Sequence, residues 1–306
     1  MQDKPRVLVP YPADEVGGFP PELRVDVWDG TGDPPGDLAD VAFYVQPYAG
    51  GPRTLEVLPA MTGLRVVQSL TAGVEKLLPL VPPRAVLCNG RGLHDASAAE
   101  QALTLILAAQ RELPRWVRDQ DAHRWAPHFT RSLADSRVLL VGYGSIGAAL
   151  DTRLSACEAE VVRVARTPRP EHGVHGIAEL HDLLPDADIA VAVVPETPAT
   201  KGLLGPEELA LLPDGALVVN IGRGTAVDSD ALVAETASGR LRAALDVTDP
   251  EPLPPDHPLW SAATVLITPH VAGGSATFYP RAKRFVAEQL RRFAEGRDLL
   301  NVVDRG

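Results

Sequence analysis

The chain has little sulfur, no excess of positive charge and no long apolar run, and each shortage removes a class of function. Only two of its 306 residues are cysteine, Cys88 and Cys157, each inside an apolar stretch. That argues against a disulfide framework or a cysteine-bound metal and fits buried thiols in a reducing cytoplasm. Asp and Glu number 40 against 29 Lys and Arg, for a net charge of −11. No nucleic-acid partner is expected, because phosphate binding needs a basic face. No apolar run approaches the ~20 residues that span a bilayer, so no membrane partner is expected. The opening "MQDKPRVLVPYP" carries an apolar run too short for a secretory signal. His123, His128, His172, His175, His181 and His257 lie in polar or proline-rich stretches without metal-ligand spacing. They read as surface residues, and no metal is expected. No repeat of fixed period is present, and the one G-x-S sequence lacks a nucleophile elbow and a triad order.

What remains is a well-populated set of short β-branched runs, each followed by a turn and a helical pattern. A first series comprises "RVLVP" (6–10), "LRVDVWD" (23–29), "DVAFYV" (40–45), "LRVVQS" (64–69) and "AVLC" (85–88). A second comprises "RVLLVG" (137–142), "EVVRVAR" (160–166), "DIAVAVV" (188–194), "ALVVNIG" (216–222), "LRAALDV" (241–247) and "TVLITP" (264–269). Nearly continuous apolar strands alternating with helices mean parallel sheets covered on both faces. The fold class is α/β, with two doubly wound parallel-sheet domains. Between the series, "SAAEQALTLILAAQREL" (97–113) is apolar nearly all round, with Ser97 and Glu100 placed as a capping box and Pro114 as a stop. A last helical stretch, 281–296, could pack on either domain.

The stretch "VLLVGYGSIG" places Gly142, Gly144 and Gly147, with Ser145 and Ile146 between the last two, where a strand turns into a helix. This is the context of a dinucleotide-binding fingerprint, whose glycines permit a tight turn, close approach of a pyrophosphate and close helix packing. The alternative is an ordinary glycine turn. The fingerprint expects an acid at the end of the next strand, and none stands between Glu160 and Glu171. Arg166, Thr167 and Arg169 occupy that place instead, and arginine forks onto a 2′-phosphate. NADP(H) is therefore preferred and NAD(H) possible, unless these arginines are merely solvated.

Three later stretches carry polar groups past strand ends: Arg223 in "NIGRGTAVD", Glu251 in "LDVTDPEPL" and His270 in "ITPHVAGGSA". Ligands of open parallel sheets bind at that edge. Each group has a bland reading alone, as a surface turn, a solvated acid or a capped loop histidine. Arg91, His94 and Asp95 near the domain junction read as a structural turn, with Arg91 an alternative contact for a substrate.

Taken in order, "SLTAGVEKL" (69–77), "VGYGSIG", "VVPETPATKGLL" (193–204), "NIGRGTAVD", "LDVTDPEPL" and "ITPHVAGGSA" resemble the D-isomer-specific 2-hydroxyacid dehydrogenase family over nearly the whole chain. The resemblance implies that Arg223 binds the substrate carboxylate and carbonyl oxygen. It makes His270 the proton donor and acceptor, with Glu251 on its other ring nitrogen, orienting it and supporting its acid form. It gives the backbone N–H groups of Ala72, Gly73 and Val74 to the substrate carboxylate, Asp246 to the nicotinamide carboxamide and Pro195 to the ribose side. It also implies a Rossmann cofactor domain, 98–274, inserted into a flavodoxin-like substrate domain, 1–97 and 275–306, with the active site in the cleft. A homodimer through the cofactor domain and a cytoplasmic location are further implications.

The expected activity is reduction of a small 2-keto acid, glyoxylate or hydroxypyruvate first, to the D-2-hydroxy acid. Alternatives are another substrate on the same fold, such as 3-phosphoglycerate or phosphite, and a cofactor-binding regulator without turnover. Two departures from the family pattern stand out: the missing ribose-binding acid, and Ala72 where many relatives have a second glycine. There is also no room for the regulatory domains of many phosphoglycerate dehydrogenases.

Overall fold

Runs such as Arg6–Val9 and Val41–Val45 bury every side chain, as a strand must inside a parallel sheet covered on both faces. The computed structural model describes residues 4–304. In chain order it begins with β1 (Arg6–Val9), α1 (Ala13–Val16), β2 (Arg24–Val27), β3 (Val41–Val45), α2 (Arg53–Glu56), β4 (Val66–Gln68) and β5 (Val86–Cys88). Next come α3 (Asp95–Gln110), α4 (Leu113–Asp121), β6 (Arg137–Val141), α5 (Ser145–Ala156), β7 (Glu160–Ala165), β8 (Val174–Gly176) and α6 (Leu180–Leu183). The chain ends through β9 (Ile189–Ala192), α7 (Pro206–Leu211), β10 (Leu217–Asn220), α8 (Ser229–Ala237), β11 (Arg242–Leu245), β12 (Val265–Ile267) and α9 (Phe278–Ala294). Two compact units divide it, Met1–His94 with Ala276–Gly306, and Asp95–Ser275. Residues 1–3 and 305–306, which the sequence assigns to the substrate domain, lie outside the described residues.

The first unit carries a parallel sheet in the order β2-β1-β3-β4-β5, the flavodoxin-like order. Successive side chains of a strand point to opposite faces. Val7, Val9, Phe43 and Val45 accordingly pack against Phe278, Ala282, Val286 and Leu290 of α9, while Leu8 and Tyr44 pack against Leu58, Met61 and Leu64. So α9 belongs to this unit. It starts at Phe278, three residues before the expected 281, because Pro280 sits in the first turn, where a missing N–H costs nothing.

The second unit carries seven parallel strands in the order β12-β11-β10-β9-β6-β7-β8. This is the Rossmann order, with the winding reversing between β6 and β9. One face of the sheet packs Leu139, Val141, Val164, Ala190 and Val218 with Leu204 and Leu209. The other packs Val138, Leu140, Val191 and Val219 with Ala98, Ala102, Leu105 and Ile106 of α3 and Leu150 and Leu154 of α5. The edge strand β8 has only three residues and no apolar run, so it left no periodic signal.

Helix α3 differs from expectation at both ends. It starts at Asp95, which puts Ser97 buried inside the first turn rather than at a cap, and it ends at Gln110. Pro114 opens α4, after Glu112 takes a left-handed φ of 50°. Nor is α3 apolar all round, since Glu100, Thr104 and Leu107 form an exposed stripe. Among the described residues no helix is long and apolar enough to cross a membrane.

Candidate active site

The loop after β6 is held by the neighbouring strand, with the amides of Gly142 and Tyr143 both donating to the Val164 carbonyl, at 2.9 and 3.0 Å. Gly142 has φ 110°, and a Cβ there would lie 2.3 Å from the Val193 carbonyl oxygen. A Cβ on Gly147 would lie 2.4 Å from the Gly142 carbonyl oxygen. Both glycines are demanded by packing. Gly144 is different, because a Cβ there would meet nothing within 4 Å. Gly144 caps α5 without a side-chain bond, which leaves the first amides of the helix, at Ser145, Ile146 and Gly147, without intrahelical acceptors. Open space in front of a bare helix N-terminus fits a pyrophosphate. The Ser145 hydroxyl donates to Asp95 Oδ1 at 3.1 Å.

Past β7, Arg166 and Thr167 are exposed. Arg169 donates to the Tyr143 carbonyl at 2.8 Å and lies over its ring, 5.5 Å from the centroid. Arg163 is committed to Asp151 at 2.8 Å. Burial would raise the Asp151 carboxyl, but Arg163 and the Tyr143 hydroxyl together hold it below the ordinary carboxylate value. Arg166 makes no hydrogen bond or ion pair to the described residues. It is the guanidinium left available for an anion, and together with the glycine cradle this donor set fits a phosphorylated dinucleotide. Pro195 is exposed just past β9, next to the switch point, and its carbonyl accepts from the Thr200 hydroxyl at 2.6 Å.

The catalytic candidates gather past β10, β11 and β12, which are neighbours in the sheet. Asn220, 1% exposed, shapes the first turn. Its Nδ2 donates to the Arg223 carbonyl at 2.8 Å and its Oδ1 accepts from the Gly222 amide at 3.0 Å. Arg223 is half-buried, and its Nη1 donates to the Gly222 carbonyl at 2.9 Å. A Cβ on Gly224 would lie 1.9 Å from the Thr248 carbonyl oxygen, so the Arg223 turn packs directly on the loop that carries Glu251.

His270 Nδ1 lies 2.6 Å from Glu251 Oε1. A carboxylate accepts, so Nδ1 carries the proton and Nε2 is left to exchange one. About half of each side chain is open to solvent. His270 is held at φ 52°, a left-handed conformation that costs a non-glycine residue about 1–3 kcal/mol. Asp246, 1% exposed, stabilises that turn. Its Oδ1 accepts from the Thr268 hydroxyl at 2.6 Å and the Val271 amide at 3.0 Å, and its Oδ2 from the Ala272 amide at 2.9 Å. Hydrogen bonds to a charged group contribute about 1.5–3 kcal/mol each, enough together to outweigh the strain. Sequence reading gave Asp246 only a cofactor contact, and Asn220 and Thr268 no role. Their partners are remote or backbone groups that leave no local pattern.

In the first unit, Ala72, Gly73 and Val74 are half-buried in the turn after β4. Their amides meet no acceptor among the described residues.

Many proteins and solved structures are similar to this chain. Residues 103–272 match the family model for the D-isomer specific 2-hydroxyacid dehydrogenase, NAD binding domain. An uncharacterized protein in the proB 3′ region of Corynebacterium melassecola is 30% identical over 253 residues, 79% of this chain and 82% of that protein. A D-isomer specific 2-hydroxyacid dehydrogenase from Xanthobacter autotrophicus, solved in complex with NADPH and MES, is 31% identical. It superposes with a TM-score of 0.82 over 98% of both chains. An NADPH-dependent glyoxylate/hydroxypyruvate reductase from Sinorhizobium meliloti, solved with NADP and sulfate, is 26% identical, with a TM-score of 0.83 over 98% of both chains.

The loop geometry separates two glycines that packing demands from one that it does not. Gly142→Ala and Gly147→Ala should each cost about 1–3 kcal/mol by overpacking, a fall of several degrees in melting temperature, or block folding outright. Gly144→Ala should melt within about 2 °C of the parent, well under the shift of a 1–3 kcal/mol defect. A Gly144→Ala protein as unstable as Gly142→Ala would show that all three glycines serve packing.

Proposed function

This chain belongs to the D-isomer specific 2-hydroxyacid dehydrogenase family, a family of NAD(P)-dependent oxidoreductases, and on that premise we propose that it reduces a small 2-keto acid of the glyoxylate or hydroxypyruvate type to the D-2-hydroxy acid. The observation that carries this reading is the Glu251–His270 pair at 2.6 Å, on a sheet edge next to the strand that delivers Arg223. Residues Asp95–Ser275 are the cofactor domain and the other unit the substrate domain.

NADPH is the preferred cofactor and NADH a usable one. The glycine loop and the α5 amides would hold the pyrophosphate, Arg166 and Thr167 the 2′-phosphate, with Arg169 fixed behind them on Tyr143. Pro195 would line the ribose side. When bound, the reduced nicotinamide supplies a hydride to the substrate's carbonyl carbon. Arg223 polarises the carbonyl and binds the carboxylate, so that charge developing on oxygen meets a fixed cation. His270 Nε2 gives that oxygen its proton, and takes it back in the reverse direction. Glu251 keeps Nδ1 as the donor nitrogen and offsets the imidazolium charge. Asp246 sets the His270 turn and would hold the nicotinamide carboxamide. In the first unit, the amides of Ala72, Gly73 and Val74 are donors for the substrate carboxylate.

The cofactor unit also exposes Leu113, Val117, Trp125 and Phe129, the last two almost fully. Large apolar side chains in water mark a surface that is covered in the assembled protein, and a homodimer through α4 and the segment after it is the proposed cover. Two free thiols suit a cytoplasmic location.

Purified protein, NADPH and a panel of 2-keto acids, followed by absorbance of the reduced nicotinamide, tests the activity; no oxidation with any of them would favour a regulator without turnover. His270→Gln should lower kcat by about 10²–10⁴-fold and Arg223→Ala by about 10²–10³-fold. Glu251→Gln should also lower kcat, because the amide no longer holds the proton on Nδ1 and lets the ring take the other tautomer. Near-normal rates in either of the first two variants would remove that residue from the mechanism. Arg166→Ala should raise KM for NADPH about tenfold, as loss of a charged hydrogen bond does, and leave NADH unchanged; equal effects on both would refute the 2′-phosphate contact. Sedimentation should give a dimer for the parent and a monomer for Val117→Asp with Trp125→Ser, and an unchanged mass would exclude this face.

A further inference from the structure

The turn after β4 is tied down almost entirely through its carbonyls. The Ser69 carbonyl accepts from Gln68 Nε2 at 2.7 Å, and the Leu70 carbonyl lies 2.9 Å from His94 Nε2. The Thr71 carbonyl accepts from the Gly90 amide at 2.7 Å. The Ala72 carbonyl accepts from Asn89 Nδ2 at 3.0 Å, and the Gly73 carbonyl from the Thr71 hydroxyl at 2.6 Å. With the carbonyls turned to these donors, the amides of Ala72, Gly73 and Val74 form a row of donors that meet no acceptor among the described residues, an arrangement that suits an anion.

Asn89 is the centre of this network. Its Oδ1 accepts from the Arg91 amide at 3.1 Å while its Nδ2 holds Ala72, so both ends of the amide are committed and its orientation is set. Its backbone is anchored by the end of the chain. The Asn89 amide donates to the Asn301 carbonyl at 3.0 Å, and Asn301 Nδ2 donates to the Arg91 carbonyl at 2.8 Å. β5 is the edge strand of its sheet, and residues 301–303 cover it. Val302 bridges Cys88 in antiparallel fashion, and the Val303 amide donates to the Leu87 carbonyl at 2.8 Å. Asn301 takes φ 57°, a left-handed conformation that asparagine tolerates better than most side chains. Two amides with no solvent exposure, Gln68 and Gln289, brace the same point. Gln68 Nε2 donates to the Asn89 carbonyl at 3.0 Å, and Gln289 Oε1 accepts from the Leu300 amide at 2.8 Å.

We propose that Asn89 is a positioning residue for the substrate carboxylate, anchored by the C-terminal segment 300–303. It draws the Ala72 carbonyl inward so that the neighbouring amides face the anion, and without it the turn is free to rotate those amides away. This rests on the reading that the amides of residues 72–74 bind that carboxylate.

Asn89→Ala, Asn89→Asp and Val74→Pro, the last of which removes one of the amides themselves, separate the two ideas. Each is compared with the parent for KM and kcat with glyoxylate, KM for NADPH and melting temperature. For both Asn89 variants the expected result is a rise of about tenfold in KM for glyoxylate, the effect of one mispositioned hydrogen bond to a charge, with KM for NADPH within about twofold of the parent. Asn89→Asp keeps the size of the side chain but loses the donor and adds a negative charge that repels the substrate carboxylate, so its rise should be at least that of Asn89→Ala, which loses the bond without adding charge. A raised KM in Val74→Pro with unchanged KM in both Asn89 variants overturns the positioning role and leaves the carboxylate site standing. Unchanged KM in all three removes the carboxylate site and the proposal with it. Equal rises for glyoxylate and NADPH mean a general loss of structure and also overturn it. If Asn89→Ala does not fold, Asn301→Gly, which keeps the left-handed backbone and loses the Nδ2 donor, carries the same comparison.

Discussion

A nearly water-free carboxylate, that of Asp246, accepts hydrogen bonds from the Thr268 hydroxyl and the Val271 and Ala272 amides, and the candidate active site is built on that constraint. His270 sits inside the turn these bonds close, at a backbone angle that an ordinary side chain avoids. The left-handed residue is what places the imidazole ring against Glu251. The strain is small beside the bonds that maintain it, so the ring is presented in one orientation. A general acid gains from such preorganisation, because no reorganisation remains to be done when the proton moves.

The same economy of space governs the cofactor side. Gly142 and Gly147 are glycines because backbone carbonyls stand where side chains would be, whereas Gly144 faces open space. Packing accounts for two of the three fingerprint glycines and places no demand on the third. Electrostatics act just as locally. The chain carries a net charge of −11, yet the end of β7 presents Arg166 unpaired among the described residues, because Asp151 has been taken by Arg163 and Arg169 is held on Tyr143. A strongly acidic protein can thus still offer a phosphate-sized anion a cation at one chosen place.

Much of this was legible in residue order. Apolar strand runs and glycine spacing announced two parallel-sheet layers, and the polar groups past successive strands marked the sheet edge that carries Arg223, Glu251 and His270. Strand β8 and the ends of α3 were not legible. β8 is three residues long, too short to show a period, and Ser97, followed by Glu100, looks like a cap until burial places it inside the helix. The supports of the site were equally silent. Asp246 binds a turn some 25 residues on, and Asn89 pairs with Asn301 across most of the chain.

Residue order alone determined the alternation of strand and helix, the spacing of the glycines, the missing ribose acid and the kinds of polar group past the strand ends, since periodicity, side-chain chemistry and short spacing are local properties. Only the tertiary structure decided which nitrogen of His270 faces its carboxylate and, among the described residues, which arginine stays unpaired and which amides of the 72–74 turn meet no acceptor. Each of those depends on hydrogen bonds between groups far apart along the chain, and such bonds exist only once the sheets have brought them together.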